Sequence, residues 1–209
     1  MAKKIPGAWA ILVGGLTLLA GSAAAQSVTG KAFGTYANLA GVQSQSPVAS
    51  LPSTGGMATG QTDAFSVAGA VDAQWLNAVT TGAVDNKKTG AQSTSEVENV
   101  SMAGGAITAD IVTAVATSYF GQFTGGSDAT GSGFTNLLVN GVAVTEDVAP
   151  NTRVDIPGLG YAILNERIPT GNGVTSWGMT VNMIHVVLQN QLGPTGEIII
   201  GSASSSVSR

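Results

Sequence analysis

The chain has 209 residues, of which 44% are hydrophobic and only 10% charged, with 29 glycines, no cysteine and a formal net charge of −4. It is too apolar for a disordered chain, which lacks the surface to bury against the entropy of ordering, and too rich in Gly, Ser and Thr for a helical bundle. Without cysteine there is no disulfide, no lipidated N-terminal cysteine and no thiolate metal site.

The first stretch, "MAKKIPGAWAILVGGLTLLAGSAAAQS", opens on Lys3 and Lys4, runs apolar from Ala8 to Ala20 and closes on Ala23-Ala24-Ala25. A basic start, a short apolar segment and a small-x-small end predict a secretory signal peptide over residues 1–25, cut after Ala25. The apolar run is shorter than the roughly 20 residues a membrane span needs. Residues 26–209 would then carry 6 Lys+Arg against 12 Asp+Glu, a net charge of −6. Lys87-Lys88 is their only basic pair, in "DNKKTG", a solvated turn. Nucleic acid, whose backbone is held by clustered cations, is not an expected partner, and no membrane contact is expected once the leader is gone.

"SVTGKAFGTYANL" (27–39) alternates and predicts a strand. Next comes "SLPSTGGMA" (50–58), whose Leu51 to Gly55 spell the LPxTG pattern that sortases cut. Such a signal works ahead of a hydrophobic stretch and a basic tail, but here 154 residues follow, and "GEIIIGSASSSVSR" offers only Ile198–Ile200 as an apolar run. Proline and paired glycines make a loop for local reasons, so the spelling is expected to be a coincidence of composition.

"AFSVAGAV" (64–71) predicts a strand with Phe65, Val67 and Val71 on one face. "VDAQWLNAVTTG" (71–82) is ambiguous: Trp75, Leu76 and Val79 fit one helical face, or Trp75 plugs a sandwich core. "AVDNKKTGAQSTS" (83–95) and "GQFTGGSDATGSG" (121–133) read as loops. Between them "AITADIVTAVATSYF" (106–120) predicts a strand with Ile107, Ala109, Ile111, Val115 and Tyr119 on one face. In "NLLVNGVAVTED" (136–147), Asn140-Gly141 accepts the positive φ angles of a two-residue hairpin turn. "GYAILNERI" (160–168), "VTSWGMTVNMIHVVLQ" (174–189) and "GEIIIGSASSSV" (196–207) supply three more strands, with Pro150, Pro157, Pro169 and Pro194 between them. The expectation is an all-β, single-domain β-sandwich over 26–209, jelly-roll or Greek-key-like, with antiparallel strands and long Gly/Ser/Thr-rich loops.

The back half, "NLLVNGVAVTEDVAPNTRVDIPGLGYAILNER" with "VNMIHVVL" and "GEIIIGSASSSV", resembles the choice-of-anchor P family of secreted bacterial surface proteins, and "GKAFGTYANL" resembles that family's start. Residues 45–105 carry little of the likeness. The resemblance implies an exported β-rich domain. It implies a place, secreted or at the cell surface, and no activity.

No catalytic, cofactor-binding or metal site is expected. His185 is the only histidine, and in "TVNMIHVVLQ" alternation places Val181, Met183, His185 and Val187 on one face. Apolar neighbours on both sides predict a hydrogen-bonded histidine of a central strand. No G-x-S-x-G elbow supports a hydrolase. Glu96 and Glu98 share a strand face toward solvent, Glu146-Asp147 are adjacent carboxylates, and Glu166-Arg167 reads as an ion pair at a sheet end. Asp128 alone in "GGSDATGSG" fails the six to eight oxygens calcium needs. Lys31, weighed for an isopeptide crosslink, reads as a lysine reaching solvent from an edge strand.

Three functions follow in order. The first is a structural or assembly role at the cell surface or in an extracellular matrix, through self-association of exposed strand edges. In it the N-terminal segment Gln26–Leu39, taken as an exposed terminal strand, would be the one donated. The second is an extracellular binding module for surface proteins or glycans, whose mark would be clustered exposed aromatics, although Trp75, Trp177 and Tyr36 could all be core. The third, a secreted hydrolase, has no supporting constellation.

Overall fold

The computed structural model describes residues 26–85, 87–145 and 147–209, so the expected leader (1–25) and Glu146 lie outside the described residues. Fourteen strands follow: β1 (Ser27–Leu39), β2 (Val42–Leu51), β3 (Gly56–Val67), β4 (Val71–Ala83), β5 (Lys88–Met102), β6 (Ile107–Gly121), β7 (Gly125–Asp128), β8 (Gly133–Thr135), β9 (Leu138–Val139), β10 (Val142–Ala143), β11 (Thr152–Ile156), β12 (Gly160–Thr170), β13 (Ser176–Asn190) and β14 (Gly193–Ser208). They form two antiparallel sheets packed face to face, an all-β sandwich. Sheet A runs β11-β12-β13-β14-β1-β2, and sheet B runs β10-β9-β6-β5-β4-β3 with β7 and β8 also on β6. Neighbours in each sheet mostly follow one another in sequence, so the order is that of two meanders rather than the jelly roll or Greek key expected, with β14 beside β1, and β8 and β9 beside β6, as the non-consecutive junctions.

The β1 prediction coincides with the observed strand, and Asn140 (φ 52°) and Gly141 (φ 74°) make the hairpin turn between β9 and β10. The LPSTG segment is the turn between β2 and β3: Leu51 ends β2 buried, and the Gly55 amide donates to the Pro52 carbonyl at 2.9 Å.

Several expectations are corrected. Residues 71–82 are strand, not helix, and Trp75 is 50% exposed rather than in the core, where Leu76 sits instead. Residues 64–71 are not one strand, because Ala68-Gly69-Ala70 turn the chain from β3 into β4. The supposed loop 83–95 holds the start of β5. Its inward residues there, Thr89, Ala91, Ser93 and Ser95, are small or hydroxylic, so no apolar alternation announces it. Part of 121–133 pairs with β6 as β7. β1 is not an exposed terminal strand but lies between β14 and β2, so it cannot be donated without opening the sheet. Lys31 reaches solvent, its Nζ 5.6 Å from the centre of the Phe33 ring, but from an interior strand.

One feature organises the whole sandwich. Alternation along a strand should bury every second residue. In sheet A it breaks at a single level, where two successive residues face inward: Gly34 and Thr35 in β1, Met183 and Ile184 in β13, Ile200 and Gly201 in β14. In sheet B the opposite happens at the facing level, where Gln74 and Trp75, Glu98 and Asn99, and Asp110 and Ile111 form successive outward pairs. The row in sheet A reads Asn165, Met183, Gly201, Gly34, Pro47, and none of these appears in the ladders that flank it. The row in sheet B reads Asp63, Trp75, Asn99, Asp110, Asn136. An irregular residue in one strand is a bulge that changes its phase. When every strand carries one at the same level, all strands flip together and pairing resumes in register on the far side.

Left-handed residues stand at half of these positions: Gly201 (φ 63°) and Asn165 (φ 51°) in sheet A, and Trp75 (φ 48°), Asn99 (φ 51°) and Asn136 (φ 51°) in sheet B. Glycine and asparagine take that conformation at least cost. The sandwich is thus bent as a unit, sheet A pushing inward where sheet B bows out. On one side of the bend the interior is filled by Met102, Ile107, Leu137, Leu164, Ile198 and Ile200. On the other side it holds a second cluster of Val28, Leu51, Phe120 and Val207, together with Ala32, Ala49, Ala78, Ala91 and serines. There the sheets come close enough for hydroxyls of one to bond the backbone of the other. Ser93 Oγ donates to the Ser204 carbonyl at 2.7 Å, Ser95 Oγ to that of Phe33 at 2.8 Å and Ser118 Oγ to that of Ser205 at 3.1 Å.

Candidate functional site

The bend decides where the titratable groups go. Because β13 flips at Met183-Ile184, Val181 and Met183 face the core while His185 faces out, so the single-face reading of Val181 through Val187 does not hold. The outer face of sheet A is concave here, and it shelters side chains that would otherwise be solvated. Asn182 and Ser202 are buried on it, and the side chains of Glu166 and His185 keep only 14% and 16% of their exposure.

The sheltered groups satisfy one another. Ser202 Oγ donates to Asn182 Oδ1 at 2.7 Å, and Asn182 Nδ2 donates to Glu166 Oε2 at 2.7 Å. The same carboxylate oxygen lies 3.0 Å from His185 Nδ1, and Glu197 Oε2 lies 3.3 Å from His185 Nε2. A carboxylate only accepts, so both contacts are hydrogen bonds at once only when the ring carries both protons. The bond to Glu166 raises the His185 pKa from the ordinary imidazole value, against the opposing effect of burial and with help from the Glu166 and Glu197 charges. The bond from His185, opposed by burial and helped by Asn182, holds Glu166 below the usual carboxylate range. Glu166 is therefore not paired with Arg167 at a sheet end. It sits in the middle of β12, and Arg167 Nε donates to Asn165 Oδ1 at 3.1 Å instead.

Both ring nitrogens of His185 face carboxylates of neighbouring strands. The network ties β12, β13 and β14 together across the bend, and its stabilising effect depends on pH. The His185 contribution, from a raised pKa, is complete below the unfolded value near 6.5 and is lost as pH rises through the folded value. The Glu166 contribution, from a lowered pKa, is present above 4.5 and lost as pH falls through the folded value. Replacing His185 with glutamine should therefore cost about 1–3 kcal/mol at pH 5.5, as for hydrogen bonds to charged groups, and clearly less at pH 9. Urea unfolding of both proteins at the two pH values reads this directly; an equal cost at both would show that the charge plays no part.

The other residues singled out by sequence stay apart. Glu96 and Glu98 lie half-buried on the outer face of sheet B, as their spacing predicts. Asp128 Oδ1 accepts from the Thr130 amide at 3.0 Å, and among the described residues no group of three or more His, Asp or Glu is placed to hold a metal ion. Trp177 stacks on Phe120 with ring centres 5.9 Å apart, and Tyr36 meets Phe33 edge to face on the outer side of sheet A.

The sandwich also has two very different flanks. On one, sheet A ends in β11, five residues with an Arg153–Asp155 ion pair at 3.0 Å, and sheet B ends in the short pieces β7 to β10. Short, charged edges are the usual protection against pairing with another chain. On the other flank lie β2 and β3, ten and twelve residues long. From Val42 to Val67 they carry one charge, Asp63. No backbone hydrogen bond is seen between β2 and β3, although their backbones come close where Gly60 passes Val48. Residues 42–63 carry little apolar alternation, so this flank is not legible in the sequence.

Compared with protein-family models, with curated proteins and with solved structures, the chain matches none.

Proposed function

We propose that residues 26–209 are an exported, extracellular structural subunit of a cell surface or matrix, without catalytic activity, that associates with further copies of itself along the β2–β3 flank. The asymmetry of the two flanks carries the reading: one is short and charged, the other long and almost uncharged, with only Pro47 inside β2 as a conventional guard. The leader pattern, the weak overall charge and the resemblance to the choice-of-anchor P family support the location. Addition of strands would use the parts of these edges away from the close approach of Gly60 to Val48, and needs main-chain hydrogen bonds.

Electron microscopy beside sedimentation of residues 26–209 tests it. Ordered filaments, sheets or discrete oligomers are expected. Thr59→Lys with Gln61→Lys, both exposed on β3, should leave the protein folded and monomeric, since lysine on an edge strand opposes pairing. A monomer before substitution, or assembly unchanged by the lysines, would overturn the proposal.

A further inference from the structure

A second surface lies on the opposite side of the molecule from the His185 network. On the outer face of sheet B, an open trough of 580 Å³ runs from Gly56 at the start of β3 over β4, β5 and β6. Its floor is the bare backbone of Gly90: a Cβ built there would meet nothing closer than the Ser118 carbonyl at 3.7 Å. Tyr119 is the cross-strand partner of Gly90 on β6 and of Gly126 on β7. Its ring leans over Gly126, where a Cβ would come 3.0 Å from the phenol oxygen, and leaves Gly90 uncovered. The ring remains 39% exposed and walls the cavity.

The next row supplies fixed polar groups. Gln92 Nε2 donates to Thr117 Oγ1 at 3.0 Å, which orients the amide and leaves its carbonyl oxygen, its second hydrogen and the Thr117 hydroxyl hydrogen toward solvent. Thr81 adds a further hydroxyl, and Lys88 is the one charged residue among those that line the cavity. The chemistry is one exposed aromatic ring beside amide and hydroxyl groups that both donate and accept. An apolar ligand would leave the oriented amide unpaired. An anion would find only one lysine, solvent-exposed, and such exposed charge pairs contribute little. A ring-shaped molecule with an apolar face and a hydroxylated rim satisfies both parts.

We infer that this trough binds a neutral saccharide, one or two sugar units of a chain lying across β5 with one ring face against Tyr119 and hydroxyls bonded to Gln92 and Thr117. The trough reaches the start of β3 at Gly56, while the lysine pair at positions 59 and 61 lies farther along that strand.

Residues 26–209 carrying the monomerising pair Thr59→Lys/Gln61→Lys, if the wild type assembles, or unaltered if it does not, would be titrated with gluco-, xylo- and chito-hexasaccharides of neutral type and with a hexauronate. Titration calorimetry would run beside amide chemical shifts. Binding of at least one neutral chain is expected, with shifts centred on Gly90, Gln92 and Thr117. Tyr119→Ala should weaken it by about tenfold or more, the loss of one good contact. Gly90→Val is the sharper variant: valine suits a strand, its Cβ has room, and its methyls fill the trough, so the fold persists while binding is lost. Leu192→Ser, in the exposed β13–β14 turn of the other sheet, should change nothing. No binding by any neutral chain, binding by the hexauronate alone, or unaltered binding by Gly90→Val would each overturn the inference.

Discussion

Leu76→Ala should lower the stability of residues 26–209 by about 3–5 kcal/mol in urea unfolding, the upper part of the range for a buried leucine. Leu76 has no exposed surface and stands beside Trp75, where β4 changes phase. Its neighbour across the sandwich is Gly34, where a Cβ would lie 2.7 Å from Leu76 Cδ2, 2.9 Å from Pro47 Cδ and 3.0 Å from Leu76 Cβ. The two sheets meet there with leucine as the projection and glycine as the recess. Gly34→Ala alone should therefore destabilise by overpacking, by about 1–3 kcal/mol. The double variant should cost at least about 1 kcal/mol less than the two single costs together, because the new methyl enters the space the leucine leaves. Pro47 and the Cβ that alanine keeps at position 76, 3.0 Å away, leave the rescue incomplete. Strict additivity would mean that the facing rows of the bend do not touch in solution.

Gly201→Val should be comparably damaging, about 2–5 kcal/mol, for a compound reason. Gly201 lies in the left-handed region at φ 63°, which costs a residue with a Cβ about 1–2 kcal/mol and a β-branched one more. Its Cβ would also come 3.0 Å from Val112 Cγ1 of the facing sheet, adding about 1–3 kcal/mol of crowding. Gly41→Val sets the backbone cost of the same side chain apart from the crowding, and Gly41→Ala gives that of a bare Cβ. Gly41 has φ 84° in the β1–β2 turn with open space around it, so only the backbone cost should appear, about 1–2 kcal/mol for alanine. If Gly201→Val costs no more than Gly41→Val, the close approach of the sheets at the bend is not a source of stability.

The bend also links stability to surface chemistry. Where sheet A is pushed inward its outer face becomes a hollow, and that hollow lets Glu166, Asn182, His185 and Ser202 bury against one another without any covering element. Where sheet B bows out its outer face is convex, and Trp75 is exposed for that reason. A tryptophan in mid-strand is ordinarily assigned to a core. Its surroundings in the chain, Gln74 and Leu76, say nothing about which way the sheet curves.

Much was legible from residue order alone: the β class, the extent of β1, the Asn140-Gly141 turn and the strand that carries His185. These follow from local causes, β-branched residues in alternation and a dipeptide that accepts positive φ, which act over a few residues and need no partner. The loop character of the LPSTG segment is local in the same way. Tertiary structure decided the rest. A strand such as β5 is held by two neighbours rather than by its own pattern, since its inward serines and threonine become interior residues only when a second sheet comes near enough to accept their hydrogen bonds. The phase flip is a property of whole rows: Gly34, Met183, Gly201 and Asn165 are far apart in sequence, and only the register of the ladders brings them level. Alternation can be read along a strand. Where it must reverse is set by the strands on either side.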